Sequence, residues 1–266
     1  MKRLIGIVFV VLAVLPLWAT GKVKQDTPVT TQFAELRVRA DFTKDFRYGL
    51  SLNINERISS RLYETGKDAY FRHSYTTVAL GYTPIQYLKL ETGYTLRLLG
   101  DKGWSDPNEF LRHRAFFSVT GKYKYGNWRF SLRERLDINC RTDSVNRYEK
   151  NPVALEMRHR LHIGCYIPGK PVQLYGHVEL INTLNRPTEY LNHYITNEKF
   201  GQYLCDARLQ LGVRWRLDKR NTLSLSYRFD YNYDRDLNIT KAKGNIELTR
   251  THSFGHVIIL GYDLNW

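Results

Sequence analysis

The chain has 266 residues and a formal net charge of +14, from 40 Lys and Arg against 26 Asp and Glu. Its three cysteines, Cys140, Cys165 and Cys205, exclude a disulfide framework, because an odd number leaves at least one thiol unpaired within the chain, and a free buried thiol behaves as a small hydrophobe. Such basicity would suit a nucleic-acid binder, but the first residues argue against that partner.

Met1-Lys2-Arg3 is a short basic head, and Leu4 to Leu17, LIGIVFVVLAVLPL, is an uncharged apolar run of the length of a signal-peptide core. The run is too short for a comfortable membrane-spanning helix. WATGK then offers small residues for cleavage after Ala19 or Gly21, with no cysteine there to carry a lipid. The reading is a secretory signal over residues 1–21 and one domain over residues 22–266. An exported chain rarely meets nucleic acid, so no nucleic-acid partner is expected. No later stretch approaches ~18 consecutive apolar residues, so no transmembrane helix is expected.

From residue 33 onward the sequence alternates with period two, the signature of half-buried strands. In FAELRVRADF, Ala34, Leu36, Val38, Ala40 and Phe42 face Glu35, Arg37, Arg39 and Asp41. In FRYGLSLNIN, Phe46, Tyr48, Leu50, Leu52 and Ile54 share one face. Strands follow over 70–83, 88–98, 110–125, 128–140, 153–167 and 172–183. YLCDARLQLGVRWRL alternates Cys205, Ala207, Leu209, Leu211, Val213 and Trp215 with Asp206, Arg208, Gln210, Arg214 and Arg216. LSLSYRFDYNY and HVIILGYDLNW complete the series.

The connections alternate in length. Short ones lie near 43–45, 84–86, 124–127, 168–171 and 218–221, and long ones near 58–69, 100–109, 141–152, 184–200 and 234–250. Tight turns at one end and long loops at the other, with strands of about ten residues, are the habit of outer-membrane β-barrels. A soluble barrel would turn its apolar face inward. Here the polar face carries Arg and acids, and aromatics crowd the short-turn end of the apolar face: Trp128, Trp215, Trp266, Phe42, Phe46, Tyr82, Tyr125 and Tyr262. They would form one interfacial girdle. The expected fold is therefore an all-β antiparallel transmembrane barrel in the bacterial outer membrane, of 10–12 strands. Eleven are countable, and the even number twelve is weakly favoured, with residues 22–31 or part of 234–250 supplying the last. A final strand ending in the aromatic Trp266 resembles the signal by which the barrel assembly machinery takes up its clients.

The pattern resembles a known family, the Bacteroidota outer-membrane barrels grouped as domain of unknown function 2490. The resemblance rests on FFSVTGKYKYGNWRFSLRERLDI with Arg133-Glu134-Arg135, on PVQLYGHVELIN, on DARLQLGVRWRLDKRNTLSLSYRFDY and on HVIILGYDLNW. Phe33 is a departure, standing where the family has an early tryptophan. The resemblance implies a monomeric outer-membrane barrel and no activity.

Inward charges are the candidate functional residues. Pairing across short turns places Asp41 near Arg47, Arg160 near Glu179, Arg208 near Asp230, and Asp137 near Arg112 or Arg114. Arg133, Arg135 and Arg158 join the same face. Such pairs can plug a narrow lumen, or an Arg excess can line an anion pathway. His162 and His177 fall close together without a third ligand, so no metal is expected, and no cofactor. No His is followed two residues later by Ser, as it is in barrel lipases, and no enzyme activity is expected. Glu134 falls on the lipid face with His113 and His159, in the upper half of the barrel. A solvated rim, a β-bulge or a lipid-modifying site would each explain it. The long loops carry Lys67, Lys102, Arg141, Arg147, Lys150, Lys199, Arg235, Lys241, Lys243 and Arg250, which can bridge lipopolysaccharide phosphates.

Overall fold

The computed structural model describes residues 29–100, 111–141, 153–185, 203–240 and 245–266. Residues 1–28, 101–110, 142–152, 186–202 and 241–244 lie outside the described residues, and with them Lys102, Arg147, Lys150, Lys199, Lys241 and Lys243 of the loop cations. Of the expected loop 58–69, residues 58–64 instead belong to the strand Leu50–Glu64, and Lys67 pairs with Glu64 at 2.7 Å. Eleven strands close into one barrel: β1 (Val29–Asp45), β2 (Leu50–Glu64), β3 (Tyr70–Ile85), β4 (Leu88–Leu99), β5 (Leu111–Tyr125), β6 (Trp128–Arg141), β7 (Val153–Tyr166), β8 (Val172–Thr183), β9 (Tyr203–Arg216), β10 (Asn221–Thr240) and β11 (Asn245–Asn265). Each strand pairs antiparallel with its neighbours in sequence, except at the closure, where β1 and β11 run parallel.

The weak preference for twelve strands is thereby corrected to eleven. β1 and β11 both run from the long-loop end to the short-turn end, so they can only meet in parallel. The seam runs from Val29↔Thr251 to Thr43↔Asn265. The Thr31 and Ser253 hydroxyls share a hydrogen bond across it at 2.6 Å. The segment 234–250, expected as a loop, instead lengthens β10 and β11 on either side of 241–244, with pairing from Asp234↔Thr251 to Thr240↔Asn245. Twenty residues of β10 reach ~50 Å along the axis at a rise of about 3.3 Å and a tilt near 40°, well past an apolar band ~25 Å tall.

The short turns follow from local chemistry. Between β5 and β6 only Gly126 and Asn127 intervene, and Gly126 takes φ +55°, the left-handed geometry that a two-residue hairpin requires. At the β9–β10 turn the Asp218 carboxylate accepts from the N–H groups of Arg220 at 2.6 Å and Asn221 at 2.8 Å. The Asn221 side-chain amide, donating at 2.6 Å, and then those backbone donors hold the carboxyl of this exposed residue below its usual range. The first turn falls later than expected, because residues 43–45 are paired within β1. Arg47, Tyr48 and Gly49 form a single 3-10 turn, with φ of +61° at Tyr48 and +74° at Gly49. Any Cβ on Gly49 would collide with the Thr83 carbonyl oxygen, so glycine is required there.

The barrel is inside-out relative to a soluble protein. Leu80 is 61% exposed and Leu211 59%, while Asp137 is fully buried and Glu179 is 2% exposed. Leucines facing outward around a closed sheet whose interior holds the charges describe a membrane-spanning barrel of the outer-membrane type. No helix among the described residues is long and apolar enough to cross a membrane; the strands make the crossing. Trp128, Trp215 and Trp266 are all exposed on the outer face, with Phe46, Tyr82 and Tyr125, near the short-turn end. The Tyr262 hydroxyl donates to the Asn221 amide oxygen.

Candidate functional site

The lumen is organised around a few carboxylates, each shared among several arginines. Asp137 on β6 takes Arg158 at 2.5 Å, Arg135 at 2.6 Å and Arg114 at 3.7 Å. Glu179 on β8 takes Arg160 at 2.8 Å and Arg133 and Arg208 each at 3.1 Å. Arg158 also holds Glu156 at 3.0 Å, and Arg208 also pairs with Asp206. These groups come from strands β5 to β9, and the alternation of each strand turns them inward together. Phe116, inward and buried, lies under the Arg135 guanidinium at 3.7 Å from its ring centre. Gly93 leaves room for that ring, since a Cβ there would lie 2.7 Å from it.

The register fixes which expected pairs meet. Arg160 lies directly opposite Glu179. Arg208 lies opposite Asp230, but at 3.9 Å, while Asp230 takes Arg228 at 2.5 Å. Asp137 meets Arg114; Arg112 instead donates to the Leu111 carbonyl at 2.7 Å. Asp41 does not meet Arg47. The 3-10 turn carries Arg47 out of the strand, and Asp41 stands opposite Asn55. Its partners are Asn55 and Arg39, the latter at 2.7 Å.

A second focus lies between β1, β2 and β3, and strand alternation alone does not reveal it. Glu35, 1% exposed, is held by Arg37 at 2.5 Å, Arg72 at 2.5 Å, Ser59 at 2.7 Å and Arg61 at 3.7 Å. Two irregularities assemble it: the register shifts at Ala34/Glu35 between β1 and β2 and at Ser59/Ser60 between β2 and β3. The second shift leaves Arg72 unmatched, and a bulge of this kind re-aims a side chain. Next to this group Phe33, Val257 and Ile259 make a small apolar cluster inside the lumen. Arg61 lies 3.6 Å from the centre of the Phe33 ring.

At the short-turn mouth a cavity of about 380 Å³ is bounded by Arg39, Asp41, Lys170, Arg214, Arg216 and Asp263, among others. Arg39 bridges Asp41 and Asp263, the latter at 2.9 Å. His162 and His177 lie opposite each other with ring centres 6.2 Å apart. No group of three or more potential metal ligands occurs among the described residues.

Glu134, His113 and His159 do not form one cluster. Glu134 hydrogen-bonds His159 directly opposite, whereas His113 bonds the Tyr94 hydroxyl. His113 lies opposite Cys140 and Glu134 opposite Val119, a separation of ~20 Å at about 3.3 Å per residue. The registers of β6 with both neighbours are unbroken, so no bulge turns Glu134 inward. Counting along β6 from Trp128, Glu134 stands ~15 Å up a band ~25 Å tall. That places it within the apolar band and not on a rim above it. Other outward polar groups are treated alike: Tyr227 bonds His256 at 2.6 Å, Tyr231 bonds His252 at 2.9 Å, and Ser74 and Thr76 each donate to Glu56 at 2.6 Å. Facing lipid, a polar group needs a protein partner, because the hydrocarbon supplies none.

Among solved structures, the barrel is similar to the NanC porin, at 12% identity over 86% of this chain and 98% of that one, with a TM-score of 0.41. It is also similar to OmpT, an outer-membrane protein of Vibrio cholerae, at 12% identity over 76% of this chain and 59% of that one, with a TM-score of 0.36. No curated protein matches the sequence. The family model described as "Protein of unknown function (DUF2490)" matches residues 18–240, which is most of the chain, and the protein belongs to that family.

Proposed function

We propose that this is an outer-membrane barrel whose lumen is closed across its middle by arginine–carboxylate contacts, acting as a membrane-embedded platform and not as an enzyme. The observation that carries the reading is the burial of the inward charges from opposite walls. Glu35 on β1, Asp137 on β6, Glu179 on β8 and Asp230 on β10 are all nearly inaccessible, while the cavity of about 380 Å³ lies at the short-turn mouth. Long guanidinium side chains, each bonded to a carboxylate, can fill a barrel of this strand number. Outer-membrane lipids, including lipopolysaccharide, would surround a monomer, with the loop Lys and Arg available to their phosphates. Purified protein reconstituted in planar bilayers tests this: the reading expects no steps of conductance above background. Stable, voltage-independent steps would overturn it.

The second reading is a narrow anion-preferring channel. It is favoured by the excess of Arg over acid inside and by the basic mouth of Arg39, Lys170, Arg214 and Arg216. In the same bilayers, conductance with a reversal potential selective for anions would establish it. A lipid-modifying site is disfavoured, since its three supposed residues fall into two separate pairs.

A further inference from the structure

One laterally paired row inside the lumen is almost wholly cationic. Arg39 on β1 faces Arg57 on β2, Arg57 faces Tyr75 on β3, and Tyr75 faces Arg97 on β4. Around the Tyr75 ring the guanidinium carbons of Arg97, Arg114 and Arg57 stand 5.2, 5.8 and 6.0 Å from the ring centre. On the β6–β9 wall, arginines converge on Asp137 and Glu179. On this wall the nearest acids are already engaged. Glu35 is held by Arg37, Arg61, Arg72 and Ser59, and Asp41 by Arg39 and Asn55. Arg57 consequently has no ion-pair partner among the described residues, and its buried Nε has no hydrogen bond.

A second group points the same way. His73 lies two residues from Tyr75 on the same inward face, its ring edge-on to the Tyr75 ring at 4.5 Å between centres. It is 2% exposed, and neither ring nitrogen has a hydrogen-bond partner. The arginines nearest it by register are Arg57, two residues from its row partner Ser59, Arg37, which bonds Ser59 at 2.9 Å, and Arg97, opposite Tyr75. None of these guanidiniums can accept a hydrogen bond, so cationic neighbours alone cannot satisfy an imidazole N–H. A half-buried cation without a counter-ion and a buried imidazole N–H without an acceptor, at one place, are both unfavourable. One negatively charged acceptor between them would resolve both.

We propose that Arg57 and His73, above the Tyr75 ring, bind a small oxyanion, a phosphate or carboxylate group, inside the lumen. The guanidinium fork matches two oxygens of such a group, and the imidazole N–H takes a third contact. The ligand is a free ion, because a lipid headgroup on the outer surface is separated from the site by the barrel wall. The inference does not depend on whether the lumen conducts.

The test is thermal unfolding of the full-length barrel in nonionic detergent, titrating sodium phosphate against sodium chloride at equal ionic strength. Phosphate is expected to raise the unfolding midpoint of the wild type. Arg57→Gln is expected to raise the midpoint in chloride, by removing an uncompensated charge, and to weaken the phosphate response about tenfold, the loss of one charge-assisted hydrogen bond. His73→Phe should weaken the response as well. Arg129→Gln, at the short-turn end of β6, should keep it. Phosphatidylglycerol added in chloride should not reproduce it. No phosphate response in the wild type, an undiminished response in Arg57→Gln, or an equal response to phosphatidylglycerol would each overturn the proposal. If Arg57→Gln does not fold, the His73→Phe variant decides, loss of the response supporting the site and an undiminished response overturning it. Planar-bilayer conductance separates the two readings: phosphate binding with conductance overturns the closed lumen and leaves this site standing.

Discussion

The backbone N–H of Trp266 donates to the Thr43 carbonyl at 3.0 Å, and the Lys44 ammonium stands 4.2 Å from the centre of the Trp266 ring. The last residue of β11 and its successor thus fasten the parallel seam to β1 at the short-turn end. The indole is 58% exposed on the outer face, where an aromatic ring suits the membrane interface.

Trp266→Asp is expected to lower the yield of folded barrel several-fold. It removes the ring under Lys44, worth about 0.5–1 kcal/mol at an exposed site, and sets a charge at the girdle. The heat-modifiable band on a gel measures the folded fraction. An unchanged yield would show that the seam does not need this ring.

Glu179→Gln is expected to destabilise the barrel by about 1–3 kcal/mol, since it leaves three half-buried guanidiniums without their shared counter-charge. Arg133, Arg160 and Arg208 all converge on that carboxylate. Urea unfolding in lipid vesicles reads the loss. Arg160→Ala should cost clearly less in the Glu179→Gln background than in the wild type. Equal costs in both backgrounds would mean the two groups do not interact.

Opposite asymmetries are expected at the outward pair. His159→Leu should destabilise more than Glu134→Leu, because the first leaves a carboxylate facing lipid without its partner. The double change to Leu should be neutral or stabilising. The same vesicle titrations decide, and a greater cost for Glu134→Leu would reverse the assignment.

Gly255→Ala should cost about 1–3 kcal/mol, the usual penalty of overpacking. A Cβ at that position would collide with the Phe33 ring. Phe33→Leu made in the Gly255→Ala background should recover part of the loss. A Gly255→Ala barrel as stable as wild type would mean the Phe33 ring moves freely.

The alternation made most strands legible, because in a membrane barrel every residue is solvated by lipid on one side or held by polar partners on the other. The short turns near Gly126 and Asp218 were legible for the same reason that they form: glycine supplies a positive φ, and Asp caps backbone N–H groups. The first turn was not legible. Phe46 and Tyr48 continue the outward apolar pattern, which conceals that Tyr48 and Gly49 are left-handed. That moved the partner of Asp41 from Arg47 to Asn55, and with it the row through Arg57 and Tyr75. Arg72 was hidden by a bulge, which alternation cannot anticipate. Alternation pairs Arg208 with Asp230, but register names only the opposite residue. Flexible guanidiniums also reach along their own strand, as Arg228 does to Asp230.

The parallel seam also governs the order in which the barrel can form. Ten of the eleven strand pairings join neighbours in sequence, so each can zip from its own connection. The eleventh joins residues as far apart as Thr31 and Ser253, 222 positions. Closing a loop of that length costs about 2.7 kcal/mol more chain entropy than closing one of ten residues. The sheet should therefore curl as an open ribbon, with β1 and β11 meeting last, so that this contact limits the rate of closure. On the return path, amide exchange should reach the β1–β11 hydrogen bonds before those of the β6–β7 hairpin.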